Sequence, residues 1–273
     1  MDANTGTADV VQFPRFFSTD SAKAVKAQGY GWLNAINYMA PHKAGGKFNL
    51  CSHASPGCIA LCLGLWSGQA AMVSRETGTN SVRDSRERKA RYFMKYRNAY
   101  MCEMALHIAT QFAYARKKKL RLAVRPNGST DVAYEGIRFD VDTALAKKIA
   151  RKTGQKIVAG RYTLFELFPF VQFVDYTKNP GRFKRALPAN YSITFSRSES
   201  NEAQALELLA SGVNVSVVSS LPMPDHWHGF PVIDGDQHDL RHLDPRGVAV
   251  WLSPKGAKAK KDASGFVVRS LAA

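Results

Sequence analysis

No stretch of the sequence reaches the roughly 18 consecutive apolar residues that a membrane-crossing helix needs, so a helical membrane protein is not expected. The first twelve residues carry Asp2 and Asp9 and no basic residue. A secretory leader wants a basic start followed by an apolar run, so residues 1–20 read as a flexible terminus of a cytoplasmic-type chain. Cysteine is scarce. Four in 273 residues do not make a disulfide framework. A second C-x2-C pair, the usual zinc-ribbon signature, is missing, and so are internal repeats. Acidic residues are few beside basic ones, 22 against 38, giving a net charge of +16. A field of that sign draws anions, either nucleotides and other anionic small molecules or nucleic acid. Solvated basic faces are the plainer source of such an excess.

What the chain does have is ample core, with 45% apolar residues. From Leu120 onward, short β-rich runs alternate with helical ones. Leu120–Val124, Val171–Asp175, Tyr191–Phe195, Val213–Val218, Phe230–Ile233 and Val248–Leu252 read as strands. Val141–Lys152, Arg182–Arg185 and Asn201–Ser211 read as helices. Alternation of this kind implies parallel βαβ units. The expected fold is α/β, a barrel-like or partial (β/α) barrel with parallel strands, as one domain over residues 21–273. Before it come an apolar run at Tyr30–Ala40, a cysteine-containing segment, and one long basic helix over Ser85–Lys118. Lys255–Lys261 reads as a mobile basic loop.

Polar residues recur where such strands end. Arg125, Asn127 and Asp131 follow one strand; Asp175, Tyr176 and Lys178 end the next; Ser196, Arg197, Ser198 and Glu199 end a third; Asp234 and Asp236 end another. In parallel α/β folds these ends form the active face. Arg125, Asn127, Tyr176, Ser196, Arg197, Ser198 and Asp236 are therefore candidates to bind an anionic substrate. Asp131, Asp175, Lys178 and Glu199 are candidates for acid–base work. Each residue alone also fits a cap or turn, Ser198 ahead of a helix and Asn127-Gly128 as a turn.

Three cysteines, Cys51, Cys58 and Cys62, fall within twelve residues as C-x6-C-x3-C. Spacing by four would put Cys58 and Cys62 on one face of a helix. The turn at Pro56-Gly57 would bring Cys51 over that helix's N-terminus, whose unpaired N–H groups favour thiolates. Three thiolates around a wide loop suit a [4Fe-4S] cluster with one iron left open. Zinc is the alternative, with His53 or Cys102 as the fourth ligand. Three buried apolar cysteines are the plainest reading, but the Ser, His, Pro and Gly around them do not look like core. Cys102, beside Met101 and Met104, reads as a buried structural thiol.

Asn49-Leu50-Cys51 with Gly57-Cys58 and Cys62 resembles the opening motif of a phage and mobile-element family called gene-product-88-like. Arg125–Asp131, Asp175–Lys178, Thr194–Asn201, Asp234–Asp236, Asp239–Arg241, Asp244-Pro245 and Lys255-Gly256 continue the likeness, in order, across roughly residues 30–268. Ser52 stands where many members carry Pro. The resemblance implies a phage-encoded protein made in a bacterial cytoplasm, and little about activity. A three-cysteine cluster on a barrel-like fold is also similar in layout to radical S-adenosylmethionine enzymes, although those space their cysteines C-x3-C-x2-C. An open iron acting as Lewis acid or sulfur acceptor fits equally. Two other readings are a nucleic-acid-binding protein with structural zinc and an enzyme holding Mg²⁺ on Asp131, Asp175, Asp234 and Asp236. Oligomeric state is not legible.

Overall fold

The structure, a computed structural model, describes residues 13–74 and 76–270. Eleven strands are present among them: β1 (Phe17–Ser18), β2 (Trp32–Asn37), β3 (Arg121–Arg125), β4 (Phe139–Val141), β5 (Gly160–Tyr162), β6 (Gln172–Thr177), β7 (Tyr191–Ser196), β8 (Val215–Val218), β9 (His226–Trp227), β10 (Phe230–Asp234) and β11 (Ala249–Leu252). The α-helices are α1 (Ala22–Lys26), α2 (Pro56–Ala60), α3 (Leu63–Trp66), α4 (Ser81–Lys95), α5 (Arg97–Lys117), α6 (Thr143–Thr153), α7 (Leu164–Leu167), α8 (Glu202–Ala210) and α9 (Ala257–Lys260).

Nine strands form one sheet in the order β1-β2-β3-β6-β7-β8-β11-β10-β9, while β4 and β5 make a separate antiparallel pair. Every pairing from β2 to β10 is parallel, and only the edge strands β1 and β9 run antiparallel to their neighbours. The α/β class and parallel strands are as the alternation implies. A closed barrel is not formed, because β1 and β9 are the free ends of an open sheet.

Helices α5, α6 and α8 pack on one face of the sheet. Alternate residues of a strand point to opposite faces. Leu33, Leu122, Phe173 and Ile193 share a core with α5 and α6 residues such as Met104, Ile108 and Ile149. Phe195, Val215, Val217 and Trp251, on the same face by register, pack on Ala205 and Leu209 of α8. On the other face Trp32 and Ala123 meet Ala27 and Leu240. There the chain after β10 runs back toward α1, where Lys23 Nζ donates to the Gly235 carbonyl at 2.8 Å. Helix starts follow their caps: Asp142 accepts from Leu145 N, and Thr163 with Glu166 closes a capping box on α7.

The long basic helix expected over Ser85–Lys118 is two helices, broken at Tyr96 with φ −130° and ψ 58°. On α4, Tyr92 and Phe93 are buried while Arg88, Arg91 and Lys95 stay exposed, so the amphipathic reading holds there; α5, with Tyr100, Met101 and Met104 buried, is covered along most of its length. Of the terminus read as flexible, residues 1–12 lie outside the described residues. Phe13, Phe16 and Phe17 are core, and Lys89 Nζ holds the Phe16 carbonyl. The Lys255–Lys261 segment forms α9, with Lys258 Nζ 3.4 Å from the Trp66 ring centroid. The β4–β5 pair gave no sequence signal, being two three-residue strands around α6.

Candidate functional site

A cavity of about 680 Å³ opens at the C-terminal ends of β3, β6, β7, β8 and β11, on the sheet face opposite α5, α6 and α8, with residues of α1, α2, α3 and α9 in its wall. Cys51, Cys58 and Cys62 line it, together with Arg125, Asp131, Tyr176, Lys178 and Ser196. Among the described residues no three His, Cys, Asp or Glu side chains converge as they would around one metal ion. The thiols are nonetheless near enough for their charges to act on one another.

Local backbone explains how the cysteines are held. α2 ends after one turn at Leu61, so Cys58 and Cys62 do not share a helix as expected; Cys62 instead starts α3. The N–H groups at the start of α2 are not free for thiolates either. Gly57 N donates to Glu199 Oε1 at 2.8 Å and Cys58 N to Ser55 Oγ at 3.2 Å, while Ser55 Oγ donates to Glu199 Oε2 at 2.9 Å. Glu199 therefore caps the cysteine segment and is not free for proton transfer. Cys51 Sγ accepts from His42 N at 3.3 Å. Burial pushes the Cys51 thiol up to about 12, and Cys62 to about 11 despite the N–H groups of Gly64 and Leu65 and the charge of Arg86. Arg86 Nη1 donates to the Gly64 carbonyl, and Arg83 to those of Leu65 and Ala70, so α4 clamps the segment from behind.

Further along the cavity, Asp239 gathers three donors that sequence reasoning did not assign to it. Arg125 Nη1 lies at 3.4 Å, Lys23 Nζ at 3.4 Å and Tyr176 OH at 3.3 Å. Burial would raise the Asp239 carboxyl, but Arg125 and Lys23 outweigh it and hold it below its ordinary value. The Arg125 guanidinium also stacks 4.6 Å from the Tyr176 ring. Asp131 accepts from Thr177 Oγ1 at 2.7 Å and Lys178 N at 2.9 Å, and pairs with Arg182 at 3.3 Å. Lys178 Nζ donates to Ser196 Oγ at 2.6 Å and has no carboxylate partner among the described residues.

The remaining candidates lie elsewhere. Asp175 sits on the helix-facing side and is fully buried. It accepts from Asn127 N at 2.9 Å, Asn127 Nδ2 at 2.8 Å and Tyr191 OH at 2.7 Å. Burial raises it to about 6 against the opposing pull of Arg182 and Tyr191. Asn127 in turn accepts from Thr130 and Val132, bracing the 127–132 loop. Arg197 binds Glu202 and the carbonyls of Gly265 and Phe266, and buried Ser198 N donates to Asn201 Oδ1 at 2.6 Å. Asp236 is in a turn, 3.2 Å from Lys23 and 3.1 Å from Lys255, which both line the cavity. These five, like Glu199, are framework, since they are engaged with partners within the protein. Among the described residues the four aspartates read as an Mg²⁺ set do not converge as ligands of one ion would. His53 and Cys102 are not in the cavity wall; Cys102 Sγ points at the Asp140 carbonyl, 3.2 Å away.

Lys23, Arg86 and Phe266 are cavity residues without a sequence signal, and Asp239 enters there only through the Asp239–Arg241 motif of the family resemblance. Asp239 stands next to the Asp-Gly-Asp turn, a signal that was available. Arg86 looked like any other cation of a basic helix. No helix among the described residues is long and apolar enough to cross a membrane.

A family model described as Gene product 88 matches residues 15–270. The chain belongs to this family. No curated protein and no solved structure matches it.

Proposed function

We propose that this chain is a phage-encoded iron–sulfur enzyme of the host cytoplasm. In this reading Cys51, Cys58 and Cys62 hold a [4Fe-4S] cluster whose fourth iron opens into the cavity, and an anionic small molecule or nucleotide binds there. The observation that carries the proposal is that three thiols from a loop, α2 and the start of α3 line one cavity with Arg125, Tyr176, Lys178 and Ser196. Three thiols on one wall suit a cluster better than zinc, because each would bind one iron of a cubane and leave the fourth for a ligand, whereas structural zinc wants four protein ligands. When bound, such a cluster supplies a Lewis-acidic or electron-transferring iron. Parallel strands with α5, α6 and α8 on one face fit a partial (β/α) barrel, the layout that radical S-adenosylmethionine enzymes also use, a likeness of layout alone.

The chain's own residues would do the rest. Lys178 and Ser196 offer donors to an anion, and Arg125 and Tyr176, fixed through Asp239, line the cavity beside them. Burial keeps the Tyr176 hydroxyl protonated, so it acts as a donor. Visible absorbance of anaerobically purified protein tests the reading. It is expected to vanish in Cys51→Ala, Cys58→Ala and Cys62→Ala and to survive in Cys102→Ala. Colourless wild type, or colour lost only with Cys102, would reject it.

The alternative, a nucleic-acid-binding protein with structural zinc, draws support from a different surface. Arg88, Arg91 and Lys95 are exposed at helical spacing on α4, a stripe suited to phosphates.

A further inference from the structure

Five cations line the cavity: Lys23, Arg86, Arg125, Lys178 and Lys255. Arg125 and Lys23 converge on Asp239, each at 3.4 Å. Lys23 and Lys255 share Asp236, at 3.2 and 3.1 Å. Arg86 donates to the Gly64 carbonyl, stacks 4.6 Å from the Tyr38 ring and acts on Cys62, so it serves the thiol end. Lys178 is left. Its ammonium has three donors, and Ser196 Oγ takes one of them among the described residues. A half-buried cation without a counter-charge is costly unless something supplies one. Beside it the wall turns apolar, with Val218, Leu252 and Phe266, the last ring centred 5.2 Å from Lys178 Nζ. A polyphosphate would need several free cations or a helix N-terminus with open N–H groups. Here the other cations are engaged, and Glu199 and Ser55 occupy the start of α2.

We infer that the cavity takes a single organic oxyanion, a carboxylate or monophosphate on an apolar body, with Lys178 and Ser196 as its anchor. This deepens the anionic-substrate reading above by setting a nucleoside triphosphate aside. The volume, about 680 Å³, is within the range of small-molecule sites. Val218, Leu252 and Phe266 hold the apolar body while the oxyanion takes the free Lys178 donors.

Isothermal titration of the purified full-length protein tests this with hexanoate, hexyl phosphate, acetate and ATP. Hexanoate or hexyl phosphate binds at least about tenfold more tightly than acetate, since each buried methylene adds affinity; which of the two wins identifies the head group. ATP binds more weakly than both. Lys178→Met lowers the affinity of the winning probe by about tenfold or more, while Lys178→Arg, a cation of similar reach, keeps most of it. Circular dichroism checks that both variants fold. ATP as the tightest probe, an unchanged affinity in Lys178→Met, or no binding by any probe would overturn the inference. Iron and sulfide are assayed on the same samples. Lost anion binding with iron retained defeats the oxyanion site alone, and anion binding without iron defeats the cluster alone.

Discussion

The two faces of the main sheet are made from alternate residues of the same strands, and they treat polar groups in opposite ways. On the helix-facing side, Asp175 is sealed among Asn127, Tyr191 and the charge of Arg182. On the cavity side, its immediate neighbour Tyr176 and the nearby Lys178 line the cavity, and Lys178 keeps donors to spare. Fully satisfied polar groups fix a fold, whereas an under-satisfied one facing a cavity is available to a ligand. One residue of register separates the two roles.

This contrast predicts different outcomes for similar substitutions. Asp175→Ala leaves Asn127 and Tyr191 without their shared acceptor and removes the charge that faces Arg182, and should lower stability by about 3–5 kcal/mol in chemical denaturation. Lys178→Met should change it by no more than about 1 kcal/mol. Equal losses would erase the distinction. Asp175 also gives a pH signature. Its carboxyl titrates near 6 when folded against an ordinary 3.8, so the folded state binds the extra proton between those values. Its contribution is thus present at low pH and is lost as pH climbs from about 4 to about 6, a fall of up to about 3 kcal/mol. Asp175→Asn should flatten that part of the stability profile, and an unchanged slope would show that another group carries it.

The cysteine segment sharpens the comparison, being held by the Glu199 carboxylate from beyond the end of β7. A Cβ at Gly57 would lie 2.6 Å from Ser264 Oγ and 2.8 Å from Glu199 Oε2. Gly57→Ala should cost about 1–3 kcal/mol and reduce bound iron, readable as a lower thermal midpoint and metal content. A variant as stable and as metal-loaded as wild type would mean that the Glu199 cap is dispensable. The smallest effect concerns the outer surface. Replacing Arg88, Arg91 and Lys95 by Ala should leave the cavity's ligand affinity unchanged. If α4 does meet nucleic acid, the replacement lowers the salt slope of binding by about 2–3. A slope of zero in wild type would remove that surface from consideration.

Much of the fold was legible, because strands such as Val171–Asp175 and Tyr191–Phe195 are short apolar runs between breakers, and caps such as Gly212 punctuate them. The site was legible in part. Cys51, Cys58 and Cys62 stood out by spacing, and Arg125, Asp131, Tyr176, Lys178 and Ser196 by their places at strand ends. Asp175 was misread because strand-end position was weighed without parity: in Phe173-Val174-Asp175-Tyr176 it shares a face with buried Phe173. Glu199 and Arg197 were misread because their partners, Gly57 and Gly265, are distant in sequence, and no local pattern records such a contact. The single long helix failed at Tyr96, where no Gly or Pro marks the break. Closure of the sheet depends on pairing between its first and last strands, which strand spacing does not encode.

The most direct test of the central claim is the metal itself. Protein purified without oxygen should contain about four irons and about four acid-labile sulfides per chain, bound through Cys51, Cys58 and Cys62. One zinc per chain with no sulfide would contradict the account.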